Sequence, residues 1–347
     1  TKGVLDNFDV DISHPLNELP SLLPHYLEGA EGIAFRVGKH SHLEPLVLKT
    51  WSEHLQKLPR SGFAPFSMIA PCPILHEMRL RKDDFEIERM RIASTISAEA
   101  HELVREFARP GMNERELQAQ IEKYFLEKGT RGPAYGSIVA SGDNACVLHY
   151  TKNNSLIRNG DLVLIDAGCS LEDYYNGDIT RTFPVNGRFS GEQKALYEII
   201  LIAQKAAIRC VRPGNNAENV HMTALKHLVE GLVELGLLVG NVDSIIEQEA
   251  YSHLYMHRTG HWLGLDVHDV GAYRLGDYHI NLESGMVLTV EPGIYISDRL
   301  AVPKGQPEIE ERWKGIGIRI EDDVLVTKDS MDVLSSSAAK NLIDLEY

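Results

Sequence analysis

The stretch GDLVLIDAG, residues 160–168, has a counterpart in SGMVLTVEPG, residues 284–293. Each is a short apolar, β-branched run that follows one glycine and is closed by another, the pattern of a buried strand between turns. Laid over one another, they place Asp166 opposite Glu291. Each is followed by a second strand-like segment that opens with an acid, DITRTFPV from Asp178 and EDDVLVT from Glu321. The likeness extends upstream. DDFEIERMRIASTISAEAHELVREFA, from Asp83, repeats apolar residues at helical spacing and stops at Arg109, Pro110 and Gly111. ARPGMNERELQAQIEKYFLEKG from Ala108 then recurs as VRPGNNAENVHMTALKHLVEGLVELG from Val211. Both read helix, Arg-Pro-Gly turn, helix, and so long a period means two halves of one domain, not a solenoid.

Two αββ halves predict an α+β domain in which helices cover one face of a mostly antiparallel sheet. An approximate twofold between them brings Asp166, Asp178, Glu291 and Glu321 together. Taken singly these acids are weak signals: an aspartate opening a strand commonly serves a turn, and Glu321 could belong to a solvated EDD run. The repeat ties them to equivalent positions. Four carboxylates in a largely apolar sheet raise each other's pKa and are costly to bury, so cations must balance them. Two divalent ions match four carboxylates in charge, and bridged pairs of this kind sit about 3.5 to 4 Å apart.

One imidazole would complete such a set, and MHRTGHWLGLDVHDVG, residues 256–271, offers His257, His261 and His268. A lone histidine is more often a hydrogen-bonded core residue than a ligand. The residue after His257 is Arg258, not the glutamate of an HExxH helix, and Gly260 and Gly264 disfavour a helix. The segment therefore reads as extended. His261 and His268, seven residues apart, would then point to opposite faces and have different jobs.

The whole chain bounds these readings. Its 347 residues allow about two domains of about 150 residues, and 43% hydrophobic content is enough for a buried core. A net charge of −15 argues against nucleic acid as a partner. Cys72, Cys146, Cys169 and Cys210 form no CxxC pair, which fits reduced thiols in the cytoplasm. No basic-then-apolar leader opens the chain, and no apolar run approaches the roughly 20 residues that span a bilayer, so no membrane association is expected. Residues 1–78 are proline-rich, with a strand expected over 32–37 and a helix near 44–57, poor material for a complete domain. The chain starts at Thr1, as a processed product or a fragment would. The boundary is placed at 78, leaving 79–347 as the αββ-repeat domain.

LHYTKN from Leu148, LIDAGC, GDITRTFPVNG, MHRTGHWLGLDVHDVG, LTVEPGIYI and GIGIRIEDD occur in an order that resembles the metallopeptidases of the pita-bread (creatinase/aminopeptidase) fold, and within them the proline-specific aminopeptidases. The resemblance implies a pita-bread catalytic domain with pseudo-twofold αββ halves over 79–347, preceded by part of a smaller α/β creatinase-like domain over 1–78. It implies Asp166, Asp178, His261, Glu291 and Glu321 as metal ligands, with Asp178 and Glu321 bridging. Asp166 and Asp178 stand about one residue further apart than in bacterial members, so LEDYYNG is expected to carry a hairpin insertion. An oxygen-rich, hard donor set favours Mn²⁺. By the same resemblance, a hydroxide shared by two ions attacks the Xaa-Pro bond of peptides with proline at position two, and Glu291 accepts the proton of the attacking water. His149 and His268 donate toward the carbonyl, His257 lines the proline pocket, Arg319 holds ligand carboxylates from behind, and Tyr295 adds a polar contact to the substrate. A prolidase restricted to Xaa-Pro dipeptides shares these motifs; a non-catalytic pita-bread binding module would have lost ligands. The family's smaller domain points to a homo-oligomer, dimer or tetramer.

Overall fold

A computed structural model describes residues 2–8 and 10–346. The chain divides into two compact units, Thr1–His76 and Glu77–Tyr347. In the first, Gly32–Ala34 pairs in parallel with Ser67–Ile69, and Leu27, Ile33 and Val47 form a small core with Trp51 packed against it. The strand expected over 32–37 ends at Ala34, because a turn closes over the next residues: Lys39 N bonds Arg36 O, Gly38 takes φ +84°, and its N–H is bound by Glu44 Oε2 at 2.7 Å. The helix expected near 44–57 spans Glu44–Ser61 and stops at left-handed Gly62.

The second unit carries the repeat. Helices Asp84–Phe107 and Glu114–Glu127 precede the first set of strands, and Gly191–Cys210 and Ala217–Glu234 precede the second. Each begins with a reciprocal cap: Asp83 with Glu86, Asn113 with Glu116, Ser190 with Gln193, and Asn216 with Asn219. The two Arg-Pro-Gly turns match in detail. Gly111 and Gly214 both adopt positive φ, Asn113 and Asn216 occupy the same cap position, and each asparagine makes an isolated antiparallel bridge, to Leu156 and Asn281.

Leu162–Asp166 lies between Ile138–Ser141 and Thr180–Pro184, all antiparallel. In the second half Asp322–Val326 lies between Val287–Val290 and Met331–Val333, and Gly293–Ile296 pairs with Ile316–Arg319. Alternation along the strands sorts side chains between layers. Val139, Val163 and Ile165 join Leu117, Ile121 and Phe125 in the main core. Ile138, Ala140 and Leu164 face the other way and are covered by Ala145 and Tyr150. Helices therefore cover one face of the first-half sheet, and the chain after Ser141 covers part of the other.

The halves meet along their strand ends. Glu321 N donates to Thr180 O at 3.1 Å and Thr182 Oγ1 to Arg319 O at 2.9 Å. Buried Arg181 reaches across to the Glu321 carbonyl and pairs with Asp322 Oδ1 at 2.7 Å. LEDYYNG forms the expected hairpin: Leu171 N bonds Tyr175 O, and Tyr174 turns the chain at φ +73°. Its base closes so tightly that a Cβ on Gly168 would lie 1.7 Å from Gly177 O. Asp166 and Asp178 are thereby brought to one place. Among the described residues, no helix is long and apolar enough to cross a membrane.

Candidate metal centre

Register places the acids before any side-chain argument. Asp166 pairs with Thr180 in the first half, and Glu291 and Glu321 follow directly on the Val290–Asp322 pair in the second. Asp178, His261 and Glu321 each offer a ligand atom within 4.8 Å of the others. His261 Nε2 lies 3.3 Å from Asp178 Oδ2 and 3.6 Å from Glu291 Oε1. Asp166 stands beside this group, joined to Asp178 by the Tyr135 hydroxyl, which is 2.6 Å from Asp166 Oδ1 and 2.5 Å from Asp178 Oδ1.

The surrounding bonds aim these groups. His261 Nδ1–H donates to Trp262 O at 3.0 Å, which turns Nε2 toward the carboxylates. A Cβ on Gly260 would lie 1.9 Å from Thr289 O, so only glycine lets this segment lie against the Val287–Val290 strand. Arg319, 3% exposed, donates to Asp166 Oδ2 at 2.5 Å, Thr180 Oγ1 at 3.0 Å and Tyr295 OH at 3.0 Å. Thr180 Oγ1 donates in turn to Glu321 Oε2 at 2.6 Å.

Charge balance tests whether a cation fits. Burial pushes the Asp166, Glu291 and Glu321 carboxyls up, Glu291 to about 7, and neighbouring acids add to the rise against the pull of Arg319. For His261 burial acts downward but is outweighed by Asp178 and Glu291, which lift it to about 9. The side chains alone leave this cluster short of positive charge, and the donors are four carboxylates and one imidazole. Divalent ions fit that set in both sign and hardness.

A cavity of about 980 Å³ opens onto the cluster. His149, His257 and His268 line it, with Tyr135 beside them. His149 is exposed on the loop after Ser141. His257 has both nitrogens engaged: Nδ1–H donates to Arg258 O at 2.8 Å, and Nε2 accepts from Tyr295 OH at 2.8 Å. Burial holds its pKa down near 3, with Arg319 adding to the effect, so its 3.8 Å approach to Glu291 is not an ion pair.

Two expectations are corrected. His261 and His268 do not face apart: their rings meet edge to face with centroids 4.3 Å apart. The segment is no regular strand, because Gly264 N bonds Asp266 O and Asp269 N returns to Trp262 O, folding it back on itself. Tyr295, expected to touch substrate, is 1% exposed and stands behind His257, outside the cavity lining among the described residues. Arg319 is bonded to Asp166. Tyr135 was missed; it lies in RGPAYGS, where glycine and proline signal only a turn. Thr180 was missed too, although buried threonines alternating along DITRTFPV are a readable sign of polar partners.

Comparison with known proteins agrees with this geometry. The chain is 42% identical over 342 residues to a Xaa-Pro aminopeptidase of Escherichia coli (strain K12), covering 98% of this chain and 75% of the relative. It is 43% identical over 338 residues to a Xaa-Pro aminopeptidase of Haemophilus influenzae, covering 97% and 74%. The solved structure of Pseudomonas aeruginosa aminopeptidase PepP superposes with a TM-score of 0.92 at 43% identity, over 99% of this chain and 76% of that one. The fold is thus the α+β pita-bread fold of aminopeptidase P structures. Residues 88–328 match metallopeptidase family M24, and with the acids and histidine of both halves gathered at one cavity, the chain belongs to that family of metal-dependent enzymes.

Proposed function

We propose that this protein is a metalloaminopeptidase that removes the first residue from peptides whose second residue is proline. The observation that carries the reading is the convergence of Asp178, His261 and Glu321, flanked by Asp166 and Glu291, on a cavity whose wall includes His149, His257 and His268. Two divalent ions, Mn²⁺ by the hardness of the donors, would be held by Asp166, Asp178, His261, Glu291 and Glu321, and would supply the Lewis acidity that acidifies a water and polarises the scissile carbonyl.

The chain's own residues do the rest. Glu291 accepts the proton of the attacking water. His149 and His268, at the cavity wall, donate to the carbonyl oxygen as it gains charge. His257 is the wall of the proline pocket: with both nitrogens bonded and its charge suppressed, it presents a neutral ring to the pyrrolidine. Arg319 and Tyr135 hold Asp166 in place through hydrogen bonds to its two carboxylate oxygens.

All five ligand positions are filled by competent residues, against the binding-module reading. The prolidase reading requires a grip on the substrate C-terminus, and the relatives described above carry the aminopeptidase name. Residues 1–78 are read as part of a smaller creatinase-like domain, and the assembly as a homodimer or homotetramer; light scattering that finds only monomer refutes the assembly. The four free cysteines suit the cytoplasm. The main test measures hydrolysis of Xaa-Pro dipeptides and longer Xaa-Pro peptides with and without Mn²⁺, alongside metal content. Mn²⁺-dependent cleavage of the longer peptides is expected, with two ions per chain, and Asp178→Asn should abolish it in a folded protein. Activity confined to dipeptides establishes a prolidase. Absence of both metal and cleavage establishes a binding module.

A further inference from the structure

Glu114 opens the helix Glu114–Glu127 and is completely buried. Among the described residues its hydrogen-bond partners include no cation. Oε1 accepts from Ser141 N at 2.8 Å, Ser141 Oγ at 2.8 Å and Asn144 Nδ2 at 2.9 Å, while Oε2 accepts from Tyr150 OH at 2.8 Å and Ser155 N at 2.8 Å. Every one of these donors lies in residues 141–155, the segment that leaves the Ile138–Ser141 strand and carries His149. A buried carboxylate is expensive, and an apolar side chain would fill the same space without that cost. Here the dense hydrogen bonding and the helix N-terminus offset it.

The same segment is tied down beyond Glu114. Asn153, a non-glycine residue at φ +45°, accepts from Val139 N at 2.9 Å and donates to Ser137 O at 2.7 Å and Gln118 Oε1 at 3.0 Å. Glu114 N bonds Ser155 O at 3.0 Å. Tyr150 is doubly held, by its hydroxyl on Glu114 and by its ring against Ile138, Ala140 and Leu164. The residue before it is His149, exposed at the cavity wall. The loop is thus held by hydrogen bonds and packing through Glu114, Asn153 and Tyr150, and it places one imidazole in the cavity lining.

We infer that Glu114 is a positioning residue: its buried carboxylate sets the 141–155 loop and through Tyr150 the placement of His149 toward the substrate carbonyl. This rests on the reading of His149 as a donor in Xaa-Pro hydrolysis. A residue that only anchored the core would lower stability when altered and leave turnover of the folded, metal-loaded enzyme unchanged. A positioning residue must act on the same step as His149.

The test compares Glu114→Gln, Tyr150→Phe, His149→Ala and the double variant Glu114→Gln/His149→Ala, each saturated with Mn²⁺, on a Xaa-Pro tripeptide, with amide hydrogen exchange followed over 137–157. Glu114→Gln is expected to lower kcat by about tenfold to a hundredfold, with a smaller change in KM, and Tyr150→Phe to do so more weakly. The double variant should be no slower than His149→Ala alone. Faster exchange should appear at Ser141 and Ser155, the amides bonded to Glu114. If the two losses multiply, if either Glu114→Gln or His149→Ala keeps full turnover, or if exchange in the loop is unchanged, the inference is overturned. Should Glu114→Gln fail to fold, Tyr150→Phe decides by the same cycle with His149→Ala. Wild-type protein that cuts no Xaa-Pro peptide overturns the functional reading itself, an outcome distinct from an active wild type whose variants behave independently.

Discussion

Thr180→Val deletes one oxygen at the junction of the two halves and keeps the side chain's shape. Thr180 has no exposed surface, and its hydroxyl stands 2.6 Å from Glu321 Oε2 and 3.0 Å from Arg319 Nε. Each bond engages a charged group, worth about 1.5 to 3 kcal/mol. Arg319 keeps Asp166 and Tyr295, so the lower end applies and a loss of about 2 kcal/mol in folding stability is expected. Glu321 would lose the bond that orients it, and removing an outer partner of a ligand costs about 10- to 100-fold in metal affinity. That is about 1.4 to 2.8 kcal/mol, in step with the stability figure. The assay is a chelator-competition titration of Mn²⁺ with urea unfolding in parallel. Thr182→Val is the control, since Thr182 Oγ1 donates to the Arg319 carbonyl and touches no proposed ligand. It should lower stability and spare affinity. Thr180→Val that binds Mn²⁺ as tightly as the wild type refutes the claim that Glu321 is aimed from the other half.

Gly260→Ala introduces a Cβ 1.9 Å from Thr289 O. Backbone must move, His261 with it, and a loss of about 3 kcal/mol is expected by analogy with overpacked cores; calorimetry and metal content check this, and a variant with wild-type Tm and full metal refutes it. Stability should also depend on His101, 2% exposed, whose Nε2–H donates to Ala167 O at 2.9 Å. Burial pushes its pKa down to about 4. The unfolded chain therefore takes up a proton from about pH 6.5 downward while the folded one does not until about pH 4. Its contribution is complete above about pH 6.5 and drains away as pH falls toward 4, by about 3 kcal/mol. Urea unfolding across that window should show a steeper loss for the wild type than for His101→Gln; equal slopes contradict the assignment.

Much of the architecture was legible without coordinates because its signals are local or repeated. The helices announced themselves through apolar spacing, and the two Arg-Pro-Gly turns through their matching chemistry. LVLIDAG and VLTVEPG carried the strand pattern and the acids at its end. Those acids were expected to meet because equivalent positions in two related halves are brought together by the axis that relates them. Which groups lie between and behind them was not legible. Tyr135 bridges Asp166 and Asp178 from a turn with no periodicity to mark it. His261 and His268 were assigned to opposite faces on the assumption of a straight strand, and the turn at 264–266 put their rings in contact. Thr180 reaches Glu321 only because one half packs against the other. Residue order and spacing carried most of the elements, their duplication and the acids that end the paired strands. Tertiary structure alone decided hydrogen-bond partners, ring orientation and the tautomer of His257, since these depend on distances between segments far apart in the chain, which hydrophobic period and residue spacing do not specify.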